Sequence, residues 1–348
     1  MYLKSLFQNK GHLRNNAEVP LTERVHEFIE EQRLTNQWEK STVKMMITLK
    51  HHLESFHEAA SLDYFDAEGI NHFVRYLRSS ACLEETTVRK HYKNLIWLLN
   101  WAVRKGYLDP SMMLRNKQKF KIVRKPVIFL SKKELLKLYH FIVPPTGAVV
   151  TLKDMDGNQY EKRVTESAAL SRAKDLFCFC AFTSLRYSDM AKLCRSDIDE
   201  NYIYVTTQKT HDRIPIDLNS YSRAILAKYA DKQYKKNRAL PVITNQQMNR
   251  CLKILCELCG FNEPIRIVKY CNGKRIEEVF PKYMRITTHC ARKTFICYAL
   301  AAGVPPVVVM RWTGHSDYKS MRPYIEIASE EKTAAMQLIN QSLEKFDK

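Results

Sequence analysis

The chain of 348 residues is 45% hydrophobic with a formal net charge of +19. That is long enough for two domains, and the charge points to a polyanionic partner, nucleic acid before an acidic membrane surface. No run of about eighteen apolar residues and no apolar N-terminal core is present, so neither spanning nor export is indicated. The ten cysteines follow no even framework and are read as reduced and cytoplasmic.

Residues 1–18 are polar and basic (Lys4, Lys10, Arg14) and read as a tail. Residues 19–110 carry four stretches with helical apolar spacing. These start at Thr22 (Val25, Phe28, Ile29), about Ser41 (Val43, Met46, Leu53), near Asp66 (Ile70, Phe73, Leu77) and about Glu85 (Val88, Leu95, Leu99), and Gly106 closes the last. The pattern predicts a small all-α domain. Its outer faces hold many cations, among them Lys40, Lys44, Arg89 and Lys93, which by themselves suit DNA contact and plain solvation equally. Residues 111–129 contain Lys117, Lys119, Lys121, Arg124 and Lys125 and no acid. Such a tract reads as a linker lying along a phosphate backbone, with an ordinary charged connection as the alternative.

From residue 130 to 348 a second domain is expected. Ser131 to Glu134 is a capping-box pattern that opens a helix. Residues 144–165 break the helical pattern and turn at Asp156-Gly157-Asn158, predicting an inserted hairpin. The same stretch lacks the closing Glu and flanking helices of a calcium loop. Ala168 to Phe182 is almost wholly apolar and reads as a buried helix. Arg186 follows it, ahead of a further helix that Ser188 is placed to cap and that has Asp189 in its first turn. An Arg so placed is well fixed for bidentate phosphate binding; a simple helix-end pairing with Asp189 is the commoner use of that pattern. Tyr202 to Leu218 alternates like two strands around Lys209 to Asp212. Helices are predicted at about 219–236 and at 245–259, and a hairpin over 265–280 turning at Asn272-Gly273. Cys256 and Cys259 form a C-x-x-C, but on an apolar helix without a second close pair, so they read as core cysteines and not zinc ligands.

Residues 287–324 gather the chemistry. His289 and Arg292 are three apart at the start of a helix for which Thr288 is a plausible cap, so both leave one face near an end that favours anions. Gly303 stops that helix and Pro305 opens another leading to Gly314-His315. Tyr324 follows nine residues after His315, beside Arg322. A Tyr attacks phosphorus when neighbouring cations stabilise its phenolate. Beyond it, Ala334, Met336, Ile339, Leu343 and Phe346 are spaced as an amphipathic helix.

The ordered set His289-x-x-Arg292, Gly314-His315 and Tyr324, preceded by Arg186-x-x-Asp189, resembles the tyrosine recombinases of the phage-integrase family, over about residues 20–330. The resemblance implies a mainly α fold with small β-hairpins (α+β), built as a two-domain DNA clamp: a helical core-binding domain and a catalytic domain. It implies catalytic roles for Tyr324 as nucleophile, with Arg186, Lys209, His289, Arg292 and His315, and a supporting role for Asp189. It tips the cations of the helical domain and linker toward DNA. Lys209 fills the position expected of a catalytic lysine on a hairpin, with His211 close enough to exchange roles. The expected reaction is DNA cleavage and rejoining through a 3′-phosphotyrosyl link, without metal or nucleotide cofactor. Expected partners are double-stranded DNA, further copies in a tetramer exchanging C-terminal helices, and accessory DNA-bending proteins. The prokaryotic cytoplasm is the expected compartment. Residues 1–18 are too few for the separate arm-binding domain of many members. Met321 and Pro323 depart from the commoner Thr-rich approach to the nucleophile. Two other readings share parts of the pattern: a type IB topoisomerase and a non-catalytic DNA-binding protein.

Overall fold

The structure, a computed structural model, describes residues 19–58, 60–113, 118–206, 213–315 and 317–330. The chain divides into two compact units, Met1–Lys125 with Ile267–Glu278, and Pro126–Arg266 with Val279–Lys348. No helix among the described residues is long and apolar enough to cross a membrane.

The first unit is built on α1 (Leu21–Thr35), α2 (Lys40–Phe56), α3 (Ala67–Ser79) and α4 (Glu85–Arg104). On α1 the buried residues are Leu21, Val25, Phe28, Ile29 and Gln32, one stripe at helical spacing. Asp66 caps α3, accepting from the N–H groups of Glu68 and Gly69 at 2.9 and 2.8 Å. Gly69 is required here, because a Cβ would stand 1.8 Å from the Tyr64 carbonyl oxygen. Phe28 meets Trp38 and Trp97 edge-on at 5.3 and 5.7 Å, with Trp101 at 5.2 Å. Each buried Leu, Ile or Phe contributes about 1.5–3 kcal/mol, against about 0–1 kcal/mol for an exposed ion pair. Packing, not surface charge, therefore holds these helices together.

The basic stretch lies against this unit. Arg78 grips buried Glu85 through two hydrogen bonds of 2.6 and 3.1 Å and donates to the Lys119 carbonyl at 3.1 Å. Phe120 packs on Tyr92 with ring centres 5.3 Å apart, and Lys125 pairs with Glu84 at 2.9 Å.

The second unit runs α5 (Lys132–His140), β1 (Val149–Lys153), β2 (Gln159–Arg163), α6 (Ser167–Thr183), α7 (Tyr187–Met190), β3 (Tyr202–Thr206), β4 (Arg213–Asp217), α8 (Ser220–Lys228), α9 (Asn245–Leu258), β5 (Pro264–Cys271), β6 (Lys274–Pro281), α10 (Lys282–Arg285), α11 (Thr288–Ala301), α12 (Pro306–Thr313) and α13 (Arg322–Glu330). The described strands form three two-stranded sheets, β1–β2, β3–β4 and β5–β6. β1 and β2 are antiparallel with Val149 opposite Arg163 and Leu152 opposite Tyr160. Tyr160 donates to Glu257 of α9 at 2.7 Å, which fixes the inserted hairpin to the helices. β3 and β4 are antiparallel with Tyr202 opposite Asp217 and Thr206 opposite Arg213. Asn272 and Gly273 both take positive φ, 48° and 73°, as a two-residue hairpin turn requires. Residues Ile267–Glu278 of that hairpin group with the first unit, where Cys271 bridges Glu84.

α6 is the axis of the second core: Ala173, Leu176, Phe177, Cys178, Phe179 and Cys180 are at most 1% exposed. Buried Asp175 accepts from Tyr229 at 2.6 Å and from Lys228, tying α6 to the end of α8. α8 stops at Lys228, short of the predicted 236. Arg195 donates to the Tyr229 and Lys232 carbonyls, satisfying there the acceptors that further helix would have used.

Candidate active site

Two chain reversals and one helix build the site. α6 ends at Thr183, and Ser184, fully buried, takes the left-handed conformation (φ 63°, ψ 2°), unusual for a residue with a Cβ. The reversal turns the Ser184 carbonyl back toward α11 and delivers Leu185-Arg186. Arg186, not Ser188, stands at the cap position of α7 and makes no side-chain cap bond there. The Ser188 hydroxyl instead lies 3.3 Å from Asp189. Asp189 is buried and 3.8 Å from Arg186 Nη1, close enough to orient the guanidinium and too far for a strong hydrogen bond.

α11 is capped by Thr287, one residue before the predicted Thr288. The reason is tertiary: Thr288 is occupied by α9, its N–H donating to Asn249 Oδ1 at 2.8 Å and its hydroxyl to Asn245 Oδ1 at 2.9 Å. His289 remains exposed in the first turn. Arg292, one turn on, is only 4% exposed. Its Nη1 donates to the Ser184 carbonyl at 3.0 Å and its Nη2 to the Thr313 carbonyl. Each terminal nitrogen has a second N–H, so this anchorage leaves donors for an anion.

Thr313 closes α12, and Gly314 reverses the chain with φ 58° and ψ 42°. The His315 N–H then reaches the Met310 carbonyl at 3.0 Å, and its Nδ1 sits 2.6 Å from the Thr313 hydroxyl. Tyr324 lies half-buried on α13. Met321, fully buried with Ile296, Ala299 and Val309, seats that turn on a small core in which Tyr324 also packs.

Electrostatics follow from this packing. Burial first, and the Arg186 charge second, bring the Arg292 pKa down to about 9, while Asp189 and Tyr324 oppose the fall. Arg292 thus stays charged at neutral pH. Although part of the His289 side chain reaches solvent, the atoms packed around its ring desolvate it; that first, then Lys293, Arg292 and Arg186, push its pKa below the ordinary value and favour a neutral imidazole. For Tyr324, burial raises the phenol pKa and Cys297 adds to it; Arg292 pulls the other way. The sequence suggested that cations would carry the phenol toward ionisation, but in the free protein desolvation wins.

Arg186, Asp189, His289, Arg292, His315 and Tyr324 are therefore brought around one place in the second unit. Lys209 lies outside the described residues, as do Lys117, residues 1–18 and the amphipathic pattern at 334–346. Lys40 and Lys44 are exposed on the first turns of α2, and Arg89 and Lys93 are exposed one turn apart on α4. Lys119, Lys121, Arg124 and Lys125 are exposed along the basic stretch, with Lys121 Nζ 5.7 Å from the centre of the Tyr270 ring. Other cations of the same faces are engaged internally: Lys50 with Glu54, Arg78 with Glu85 and Lys105 with Glu31. Cys256 and Cys259 lie in the apolar core, where burial holds the Cys256 thiol far above its ordinary pKa. Sequence reasoning passed over Ser184, Thr313, Asn245 and Asn249, although the T-G-H run marks Thr313 as the residue before a reversal.

Comparison with known proteins fits this architecture. Residues 20–122 match the phage integrase SAM-like domain and residues 153–331, more than half the chain, match the phage integrase family. No curated protein matches. Among solved structures, a lambda integrase dimer bound to a COC′ core site is 15% identical, covering 93% of this chain and 83% of that one, with a TM-score of 0.60. The Tn1549 transposon integrase in complex with circular intermediate DNA is 14% identical, covering 90% and 99%, with a TM-score of 0.56. The XerH site-specific recombinase bound to a palindromic difH substrate is 13% identical, covering 90% and 84%, with a TM-score of 0.57. The chain belongs to the phage integrase family, the tyrosine recombinases.

Proposed function

We propose that the protein is a site-specific DNA recombinase that integrates or excises a mobile element, cutting and rejoining strands through a 3′-phosphotyrosyl intermediate. The observation that carries this is Arg292: a charge kept at 4% exposure, anchored by two carbonyls, with Arg186 and Tyr324 in its field. A buried cation that keeps N–H donors to spare, within electrostatic reach of a phenol, suits a site that receives a phosphate.

In this reading Tyr324 attacks the scissile phosphate and displaces a 5′-hydroxyl. Covalent storage conserves the phosphodiester, so a second hydroxyl reverses the step without ATP. Arg186 and Arg292 hold the non-bridging oxygens, where transition-state charge accumulates; Asp189 steadies Arg186. Because burial keeps the Tyr324 phenol protonated, a base has to take its proton. His289, held neutral, suits that task. Lys209 protonates the leaving oxygen, and His315 donates to a phosphate oxygen. We assign residues 19–110 to DNA-core binding, 111–129 to a linker and 130–348 to catalysis. Lys40, Lys44, Arg89, Lys93, Lys117, Lys119, Lys121, Arg124 and Lys125 are assigned to phosphate contact. The working assembly is a tetramer on double-stranded DNA that exchanges C-terminal helices, with accessory DNA-bending proteins. The ten cysteines, none in a disulfide, suit the reducing cytoplasm of a prokaryote.

The test is strand exchange between two labelled duplexes carrying sequences that flank the protein's own coding region. Recombinant products support the proposal. Relaxation of a supercoiled plasmid with no exchange between duplexes would replace it with a topoisomerase activity.

A further inference from the structure

Resting on the strand-cleavage reading, one residue outside the six catalytic candidates touches two of them. Thr313 is 2% exposed; its carbonyl accepts from Arg292 Nη2 and its hydroxyl lies 2.6 Å from His315 Nδ1. That hydroxyl has one proton and three neighbours to serve. It stands 2.7 Å from the Val309 carbonyl oxygen, 3.3 Å from that of Met310 and 2.6 Å from the imidazole nitrogen. A carbonyl oxygen only accepts, so the contact with Val309 exists as a hydrogen bond only when the hydroxyl gives its proton there. Two lone pairs facing each other at 2.6 Å would repel. The hydroxyl oxygen must then accept a proton from His315, and Nδ1 must carry it. Gly314 fixes the geometry, because its left-handed turn brings the His315 N–H onto the Met310 carbonyl and the ring back over the last turn of α12.

We propose that Thr313 is a positioning residue that fixes His315 in the Nδ1–H form, makes Nε2 the acceptor nitrogen of the neutral ring, and holds His315 and Arg292 in register as one unit. A neutral His315 in this form offers an acceptor at Nε2. It donates to a phosphate oxygen only after Nε2 takes a second proton, and Thr313 still accepts from Nδ1 in that charged state. Donation by His315 therefore belongs to the phosphate-bound imidazolium, whereas a neutral Nε2–H ring would donate without proton uptake.

Long-range proton–nitrogen correlation spectra of the DNA-free full chain, labelled on its imidazole nitrogens, test this directly. His315 is identified among the eleven histidines by the signal lost in His315→Gln. Wild-type protein should show the Nδ1–H pattern, Thr313→Val should move it toward Nε2–H, and Thr313→Ser, which retains the hydroxyl, should restore it. With a nicked duplex, Thr313→Val should form the covalent adduct about tenfold or more slower, and Thr313→Ser at close to the wild-type rate. An Nε2–H pattern in wild-type protein, or an unchanged pattern in Thr313→Val, overturns the proposal. Because the tautomer is read without DNA, failure of the strand-cleavage reading appears separately, as the absence of any adduct from wild-type protein.

Discussion

His91 on α4 and Arg292 on α11 are basic side chains at 5% and 4% exposure, one in each unit. His91 Nδ1 has no hydrogen-bond partner among the described residues, and its ring stands 4.6 Å from that of His52. Burial, then His52 and Lys90, bring its pKa down to about 4, so it is carried as a neutral ring that only fills space. Arg292 keeps its charge, with two carbonyls turned toward it by the reversals at Ser184 and Gly314. Where packing is the only demand, the fold discharges the group. Where charge is retained against desolvation, the surroundings are built for it, and that difference separates structural from chemical use of a buried base.

The strongest way to break this contrast is Arg292→Lys. A single ammonium cannot serve both carbonyls and present a fork to a phosphate, so adduct formation should fall by about 10²–10³-fold in single-turnover assays. A loss under threefold would place Arg292 with His91. Acid sharpens the other side. The His91 pKa is lower folded than unfolded, so its contribution is complete above about pH 6.5 and drains away as pH falls toward 4, by up to ~3 kcal/mol. His52 is shifted in the same direction, by burial first. Urea unfolding followed by the fluorescence of Trp38, Trp97 and Trp101 should report that slope, and His91→Phe should flatten it. Ser184 probes the reversal. Ser184→Ala loses the hydroxyl bond to the Trp312 carbonyl, 2.9 Å, and should cost about 1 kcal/mol in thermal unfolding. Ser184→Gly loses the same bond but relieves the left-handed backbone, so it should sit near wild type. The smallest effects belong to the surface. Lys93→Gln should lower the salt dependence of DNA binding by about one unit of slope, and Lys125→Gln by less, because Glu84 already pairs with Lys125.

Much of this was legible in the sequence because the signals are local. Helical spacing marked α1 to α4, the Ser131–Glu134 capping box marked α5, and Asn272-Gly273 marked the hairpin turn, since each depends on residues a few positions apart. The catalytic candidates were legible as an ordered set of residue types, which says nothing of what supports them. Arg292 is held by carbonyls 108 and 21 residues away, and no periodicity records such a contact. Ser184 turns left-handed without the glycine that usually announces it. Thr288 reads locally as the cap of α11, but Asn249 and Asn245 of α9 take up its N–H and hydroxyl, and the cap falls to Thr287. The end of α8 was misplaced for a similar reason: Arg195, distant in sequence, satisfies carbonyls that the local pattern assigned to more helix.

The most direct measurement is covalent capture. The protein is incubated with a duplex nicked beside its candidate site, denatured, and the DNA-linked peptide identified by mass spectrometry, in parallel with Tyr324→Phe. The account predicts a denaturant-resistant adduct on the peptide containing Tyr324, absent from Tyr324→Phe although that variant still binds DNA. An adduct on another residue, or one that persists in Tyr324→Phe, would contradict it.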